Sequence, residues 1–261
     1  MQIINALASA PVLLVMSAVT LAQLGTLPSQ PRAGSVPPGW IWVADSWGFS
    51  RLSFGPHTDT QGRNFDALRF SYDTQAASHQ RQQILASGIS FQQAAGEGKV
   101  FTGSWAVLKD GRFRDGRIEA DICGTGEQDF QGIIFRVDTS AIQSGQARAG
   151  LFRGEQIYFR PAFVDEDRPE YEPLQYYARD EQPGRAFFAG AAAKPKIPKH
   201  DWFHVRIDVK GKVAHVFLDN AAHPCLTVEL QSGQEEGAVG VWAWNGRLAN
   251  LTVTPANRLP Q

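Results

Sequence analysis

Two carboxylates in one short stretch are the first residues of this chain whose types and spacing could support chemistry. Glu119 and Asp121 alternate with apolar residues in the segment Ile118-Glu119-Ala120-Asp121-Ile122. Because residues two apart in a β-strand project from the same face, both carboxylates are predicted to point together into solvent. Carboxyl groups about 5 to 5.5 Å apart across a glycosidic bond are what a retaining glycosidase needs.

A larger set of polar side chains occupies the outward positions of four strand patterns, which begin at Ile118, Ile133, Ile157 and Leu174. If these strands lie in one sheet, their acids, guanidinium groups, amide and phenols share one face, which on a curved sandwich is the concave side. Such groups hydrogen-bond sugar hydroxyls and stack on sugar rings. The alternative is that the acids and arginines only pair across strands. The predicted ligand-binding residues are Glu119, Asp121, Arg136, Tyr158, Arg160, Gln175 and Tyr177, and Asp138 belongs to the same set.

Other clusters of reactive residue types give weaker signals. His204 shares a strand face with Asp208, but no Ser stands in a nucleophile-elbow context. His200 and His204 are four residues apart across a strand start, where this spacing does not form a zinc clamp. The acidic run 165–167 could help to hold Ca²⁺, or it could be a solvated loop. We therefore predict no catalytic residue, no protein-bound metal and no required cofactor, with Ca²⁺ as the one open possibility.

The composition is that of an ordinary globular chain of 261 residues, with 43% hydrophobic and 20% charged residues. This length is sufficient to bury a sizeable core. The formal net charge of −1 gives no reason to expect nucleic acid or an anionic membrane as a partner. The 25 glycines fall mostly between apolar runs, which is typical of β architecture with many turns.

The N-terminal stretch differs from the rest of the chain. Residues 4–24 are apolar without a charged side chain, so residues 1–22 are predicted to be a signal peptide, or else an uncleaved anchor that would be the only contact with a membrane. Residues 23–39 are a Pro/Ser-rich linker. A signal peptide implies an exported protein, periplasmic or extracellular, and so an oxidising environment for Cys123 and Cys225. We favour two separate core cysteines over a disulfide.

The elements that must position these residues are mainly short strands. Trp202–Val209 alternates, and Lys210-Gly211-Lys212 turns the chain back into a further strand. Asp110-Gly111 is a hairpin signal after the strand at 105–109. One helix is predicted over Gln75–Ala86, with Thr74 as its N-cap. Many strands with frequent turns predict a single all-β sandwich over residues 40–256.

Several segments of this chain resemble the concanavalin-A-like lectin/glucanase superfamily, in particular its laminin-G-like and 3-keto-disaccharide-hydrolase-like branch. The resemblance covers roughly residues 98–255 and implies a jelly-roll β-sandwich of two antiparallel sheets that serves lectins, binding modules and hydrolases. The segments that carry it are Phe113-x-Asp115-Gly116-x-Ile118-Glu119-x-Asp121-Ile122, Gly132-Ile133-x-Phe135-Arg136, Tyr158-Phe159-Arg160-Pro161, Trp202-Phe203-His204-Val205-Arg206, Val216-x-Leu218-Asp219 and Gly237-Ala238-Val239-Gly240-Val241-Trp242.

The carboxylate pair also resembles the start of the catalytic strand motif of family-sixteen glucanases. In that motif a nucleophile Glu and a helper Asp are followed by an acid Glu, and here Cys123 stands at the acid position. We therefore expect an exported, lectin-like sandwich that binds oligo- or polysaccharide. The alternatives are a sugar-processing hydrolase or lyase that uses the same face, and a structural or adhesion domain that binds protein. Trp242 and Trp244 are expected to cap the core rather than to contact a ligand.

Overall fold

The chain folds into antiparallel β-sheets with one short helix in the residues that the structure describes. This structure is a computed structural model, and it describes residues 37–43, 49–89, 103–126, 130–140, 153–163, 172–179, 186–190 and 195–259. The helix is α1 (Thr74–Ala86). The strands are β1 (Trp40–Val43), β2 (Ser50–Thr58), β3 (Asn64–Tyr72), β4 (Ser104–Leu108), β5 (Gly116–Cys123), β6 (Gln131–Val137), β7 (Gly154–Phe159), β8 (Leu174–Arg179), β9 (Ala186–Gly190), β10 (Trp202–Lys210), β11 (Val213–Leu218), β12 (Leu226–Glu229), β13 (Ala238–Ala243) and β14 (Gly246–Pro255).

Within these residues the strands form two seven-stranded sheets. Sheet A has the order β1-β4-β13-β6-β7-β8-β9, and sheet B has the order β12-β11-β10-β5-β14-β3-β2. One apolar cluster joins them: Ile118 and Ile122 of sheet B share it with Ile133, Phe135 and Phe159 of sheet A. The inward and outward positions alternate along each strand of this interface, as the period-two patterns predict. The predicted all-β sandwich of two antiparallel sheets is confirmed.

The predicted neighbourhood of four strands in one sheet is wrong. β5 lies in sheet B between β10 and β14, whereas β6, β7 and β8 are adjacent in sheet A. The chain therefore crosses from one sheet to the other between Cys123 and Gln131. The predicted hairpin at Asp110-Gly111 is also wrong, because β4 pairs with β1 and β13 and not with β5. Alternation within a strand is a local property, while the choice of sheet depends on long-range pairing.

The outer faces of the two sheets differ in their exposure. Strands β6 and β13 of sheet A are buried at every position, and a second apolar cluster covers the outer face around Trp105, Ile134 and Trp242. In sheet B, strands β5 and β10 alternate between buried and half-exposed residues. The solvent-accessible face that the sequence patterns predict is therefore the outer face of sheet B.

The predictions for the helix and for the two cysteines can be compared with the structure residue by residue. Helix α1 is confirmed, but its N-cap is Asp73, whose Oδ1 accepts a hydrogen bond of 2.9 Å from the Ala76 N–H. Cys123 and Cys225 are both free thiols, as expected. The residues 1–36 lie outside the described residues. In the part of the chain that is described, no helix has the length and apolar character needed to cross a membrane.

Candidate functional site

The seven predicted ligand-binding residues do not form one surface. Glu119 and Asp121 are half-buried on the outer face of sheet B, next to β10 and β14. The other five belong to sheet A or to the ends of its strands: Arg136, Tyr158, Arg160, Gln175 and Tyr177. The structure therefore brings the two acids together and separates them from the arginines, the phenols and the amide.

Arg136 was predicted to face solvent, and it is buried instead. Its side chain is only 5% exposed, and its backbone has a φ of 50°, a left-handed conformation that turns the residue away from the regular strand path. The guanidinium donates to the Arg114 carbonyl from Nε (3.0 Å) and Nη2 (2.7 Å), to the Gly211 carbonyl (2.7 Å) and to Asp115 Oδ1 (3.2 Å). It fastens the β10–β11 turn to the segment before β5, so it has a structural position.

The residues predicted on sheet A pack on one another. The Tyr158 hydroxyl donates to Gln175 Oε1, and the Tyr158 ring meets Trp242 edge-on with centroids 5.9 Å apart. Arg160 is buried, donates to the Glu172 carbonyl (2.7 Å) and has its guanidinium carbon 6.0 Å from the Tyr158 ring. Burial raises the pKa of Tyr158 to about 12. Trp242 is a member of the buried outer cluster and Trp244 packs against it, as the core-capping interpretation predicts.

A polar cluster of four side chains occupies the outer face of sheet B. His204 Nδ1 lies 2.8 Å from Asp121 Oδ1, and His204 Nε2 lies 3.5 Å from Glu119 Oε1. The Asn250 amide donates to Asp121 Oδ2 at 2.6 Å. Asn250 has a φ of 54° and stands where the pairing of β14 with β5 shifts register, so the irregularity aims its side chain at the carboxylate. Both oxygens of Asp121 are engaged, whereas Glu119 makes one long contact.

Aromatic side chains stand beside this cluster. The rings of Phe65 and Trp202 have centroids 4.9 Å apart, and the rings of His57 and Trp202 have centroids 5.8 Å apart. Sheet order separates β3 from β10 by three strand spacings, about 14 Å in a flat sheet. Side chains from these strands can touch because the sheet curls toward its outer face. The outer face of sheet B is therefore concave.

A hydrogen bond joins the two sides of the curled sheet at one end, and a row of small residues crosses its outer face. Thr60, in the turn between β2 and β3, donates to Asp201 Oδ2 at 3.0 Å, just before β10. The cross-strand row that contains Asp121 continues through Ala249 and Ala67 to Gly55. Ala67 and Ala249 are only 3% and 5% exposed, so the face above this row is covered, and the rings of Trp202 and Phe65 meet across the same strands.

The remaining charged residues of β5 and β10 pair with each other. Arg117 donates to Asp208 at 2.7 and 3.3 Å, and this bond, more than the opposing effect of burial, raises the pKa of Arg117. Arg206 lies 3.4 Å from the same Asp208 and stacks on Phe217, with 3.9 Å from its guanidinium carbon to the ring centroid. Arg117 and Asp208 are directly opposite each other on β5 and β10, so cross-strand pairing is the better description of this pair.

Cys123, the residue at the glucanase-like acid position, is the last residue of β5. The Cys123 thiol is buried and donates to the carbonyls of Gly124 (3.3 Å) and His200 (3.9 Å), which fixes it as part of the strand end. Among the described residues no three His, Cys, Asp or Glu side chains are arranged to hold a metal ion. The acidic run 165–167 lies outside the described residues.

Sequence reasoning missed Trp202, Phe65, His57 and Asn250 as members of this face. Trp202 and His204 are on alternating positions of a strand that was recognised, so their shared face was available as a signal. The parts played by Phe65 and His57 depend on the curl of the sheet, and that of Asn250 depends on a local irregularity in β14. Neither feature leaves a period-two signature in the sequence.

No protein-family model and no curated protein matches this chain. Similar solved structures include the carbohydrate binding module CBM66 from Bacillus subtilis, with 14% identity over 83% of this chain and 94% of that chain and a TM-score of 0.45. The Bacillus licheniformis beta-glucanase has 8% identity over 83% of this chain and 97% of its own, with a TM-score of 0.39. A Bacillus subtilis protein of unknown function with a galectin-like fold has 10% identity, covers 78% and 90% of the two chains, and gives a TM-score of 0.40.

Proposed function

We propose that this protein binds carbohydrate on the concave outer face of sheet B. The observation that carries the proposal is the aromatic pair Trp202–Phe65 beside the polar cluster of Glu119, His204 and Asp121, on the side of the sandwich that is open to solvent. Aromatic ring faces contact the apolar face of a pyranose, while carboxylate, imidazole and amide groups hydrogen-bond its hydroxyls.

The polar residues have different parts in this proposal. Asp121 accepts from Asn250 and lies against His204 Nδ1, so it orients the imidazole and leaves Nε2 directed toward Glu119. Glu119 and the Nε2 edge of His204 are the groups that meet ligand hydroxyls. An open groove of this kind binds weakly, with about 4 to 6 kcal/mol of binding free energy, which corresponds to millimolar to tens of micromolar affinity.

A sugar-processing hydrolase or lyase is the second candidate, and the His204–Asp121 contact is the observation that favours it. An imidazole held by a carboxylate is the usual arrangement of a general base. Turnover of a bound oligosaccharide would distinguish this function from binding alone. For either function we propose that the protein is exported, as the N-terminal stretch predicts.

The experiment compares the two faces of the sandwich in one protein. A glycan array selects ligands, and titration calorimetry then measures the affinity of Trp202→Ala, Glu119→Gln and Tyr158→Phe, with the thermal midpoint of each variant as a fold control. We expect a loss of about tenfold or more in the two sheet B variants, at least about 1.4 kcal/mol, and no change in Tyr158→Phe. Glu119→Gln keeps the size of the side chain, so it answers the question even if Trp202→Ala is destabilised.

Each other result contradicts the proposal in its own way. Loss of binding in Tyr158→Phe with full binding in Glu119→Gln would move the site to sheet A. Reducing-sugar release that Glu119→Gln or His204→Ala abolishes would establish the enzyme. Failure of every glycan to bind at millimolar concentration would leave a protein-binding domain.

A further inference from the structure

Two arginines stand directly opposite each other on the concave face. The register of β14 and β3 pairs Arg247 with Arg69, and their neighbours Leu248 and Leu68 point into the core, so both arginines point outward. Like charges in directly opposed cross-strand positions destabilise a sheet. The fold therefore places two positive charges together where a neutral or acidic residue would be more favourable.

Nothing in the described part of the chain neutralises this pair. The guanidinium of Arg247 contacts Cys123 Sγ at 3.8 Å, and neither arginine is within ion-pair distance of a carboxylate of the described residues. Other arginines of the protein are compensated: Arg117 has Asp208, Arg136 has Asp115 and Arg63 has Asp59.

A third basic side chain adds to the same place. His57 on β2 is half-buried, and burial, followed by the charges of Arg247 and Arg69, lowers its pKa. Asp59 acts in the opposite direction, but its carboxylate is 2.6 Å from Arg63 Nε. His57 is therefore close enough to both arginines for their charges to act on it, and its ring contacts Trp202 with centroids 5.8 Å apart.

We propose that the carbohydrate bound on this face is acidic and that its carboxylate or sulfate group binds between Arg69 and Arg247. This inference rests on the proposed function and names the ligand class. A guanidinium group binds planar or tetrahedral oxyanions through paired N–H donors, and an incoming anion removes the repulsion between the two cations. The formal net charge of −1 does not oppose it, because association responds to the local potential.

The spacing fits one ligand. Trp202 and Arg247 lie in the same cross-strand row, with Cys123 between them, so their backbones are two strand spacings apart, about 10 Å. The Trp202 indole contacts Phe65, which lies four residues before Arg69 on β3, so the arginine pair is beside the aromatic contact, and the acidic substituent of a bound sugar or of the adjacent sugar would reach it along the face.

The test uses oligosaccharides that differ only in charge. Trigalacturonate is compared with its methyl ester, and a sulfated galactan oligosaccharide with its desulfated form, so the two arms separate carboxylate from sulfate recognition. Affinities are measured at low and high salt for the full chain and for Arg69→Gln, Arg247→Gln and Arg114→Gln. Arg114 is exposed and paired with exposed Glu235 before β5, so its variant makes the same change in net charge elsewhere.

We expect the charged member of at least one pair to bind about tenfold or more tightly than its neutral partner, with the advantage reduced at high salt. Arg69→Gln and Arg247→Gln should abolish the advantage, and Arg114→Gln should keep it. The two groove variants should also melt no lower than the parent protein, because each removes a like-charge contact. That stability readout excludes misfolding as the cause of lost binding.

The inference is overturned if neutral and charged partners bind equally, or if Arg114→Gln lowers the affinity as much as the groove variants do. Binding of neutral glycans without any preference for charge leaves the proposed function intact and removes only the acidic ligand. Absence of binding by all four oligosaccharides, together with a negative glycan array, refutes both proposals.

Discussion

Replacement of Arg136 should destabilise the protein strongly, although strand alternation in the sequence predicts an outward position for this residue. Alanine removes a guanidinium that is 5% exposed and leaves the carbonyls of Arg114 and Gly211 without the donors that reach them at 2.7 Å. Hydrogen bonds to a charged group contribute about 1.5 to 3 kcal/mol each, and removal of one partner from a buried ionic cluster costs about 3 to 5 kcal/mol. We expect Arg136→Ala to lower the free energy of unfolding by about 3 kcal/mol.

Two further substitutions at this position separate the side chain from the backbone. Residue 136 has a φ of 50°, which costs a residue with a Cβ about 1 to 2 kcal/mol and costs glycine little. Arg136→Gly should therefore be more stable than Arg136→Ala by roughly 1 kcal/mol, even though both lack the guanidinium. Arg136→Lys keeps the charge but cannot span both carbonyls with one ammonium group, so it should fall between the parent protein and Arg136→Ala.

Urea unfolding followed by tryptophan fluorescence measures these differences, provided that the slope of the unfolding free energy against urea is unchanged. Arg114→Ala is the matched control, because its ion pair with Glu235 is exposed on both sides, and it should change stability by less than about 1 kcal/mol. The reasoning is refuted if Arg136→Ala is no more destabilised than Arg114→Ala, or if the glycine variant is the less stable of the two truncations.

Two other predictions test the faces of the sheets. Ile118→Asp should prevent folding, because Ile118 is 0% exposed in the shared core. Glu119→Gln should shift the unfolding free energy by no more than about 0.5 kcal/mol. If circular dichroism and urea midpoints show the reverse order, the inward and outward faces of β5 are assigned the wrong way round. The raised pKa of Tyr158 means that its contribution to stability is complete below the unfolded pKa of 10.0 and is lost as the pH rises toward the folded pKa of about 12. Over that window the urea midpoint of the parent protein should fall more steeply than that of Tyr158→Phe, and parallel profiles would show that Tyr158 is not buried in the way described.

The local part of the fold could be predicted from the sequence. The inward and outward sides of β5 and β10 follow from the alternation of Ile118, Glu119 and Ala120 and of Val205 and Arg206. A strand with one solvent-exposed face alternates between apolar and polar residues. The N-cap was misplaced by one residue, since Asp73 and Thr74 are adjacent and both are good capping residues. The assignment of strands to sheets could not be predicted, because β5 and β6 are consecutive in the chain and belong to opposite sheets.

The amino-acid composition of β6 distinguishes the two sheets at the level of sequence. Gly132-Ile133-Ile134-Phe135-Arg136-Val137 is a nearly continuous apolar run, which is typical of a strand buried on both sides, whereas β5 and β10 alternate with charge. Arg136 is the single charged residue of that run, and a lone charge in a doubly buried strand has to be neutralised within the protein. The charged positions of β5 and β10 carry no such requirement. A ligand face is therefore to be sought where charge recurs at every second residue of neighbouring strands, and this condition selects sheet B with Glu119, Asp121 and His204.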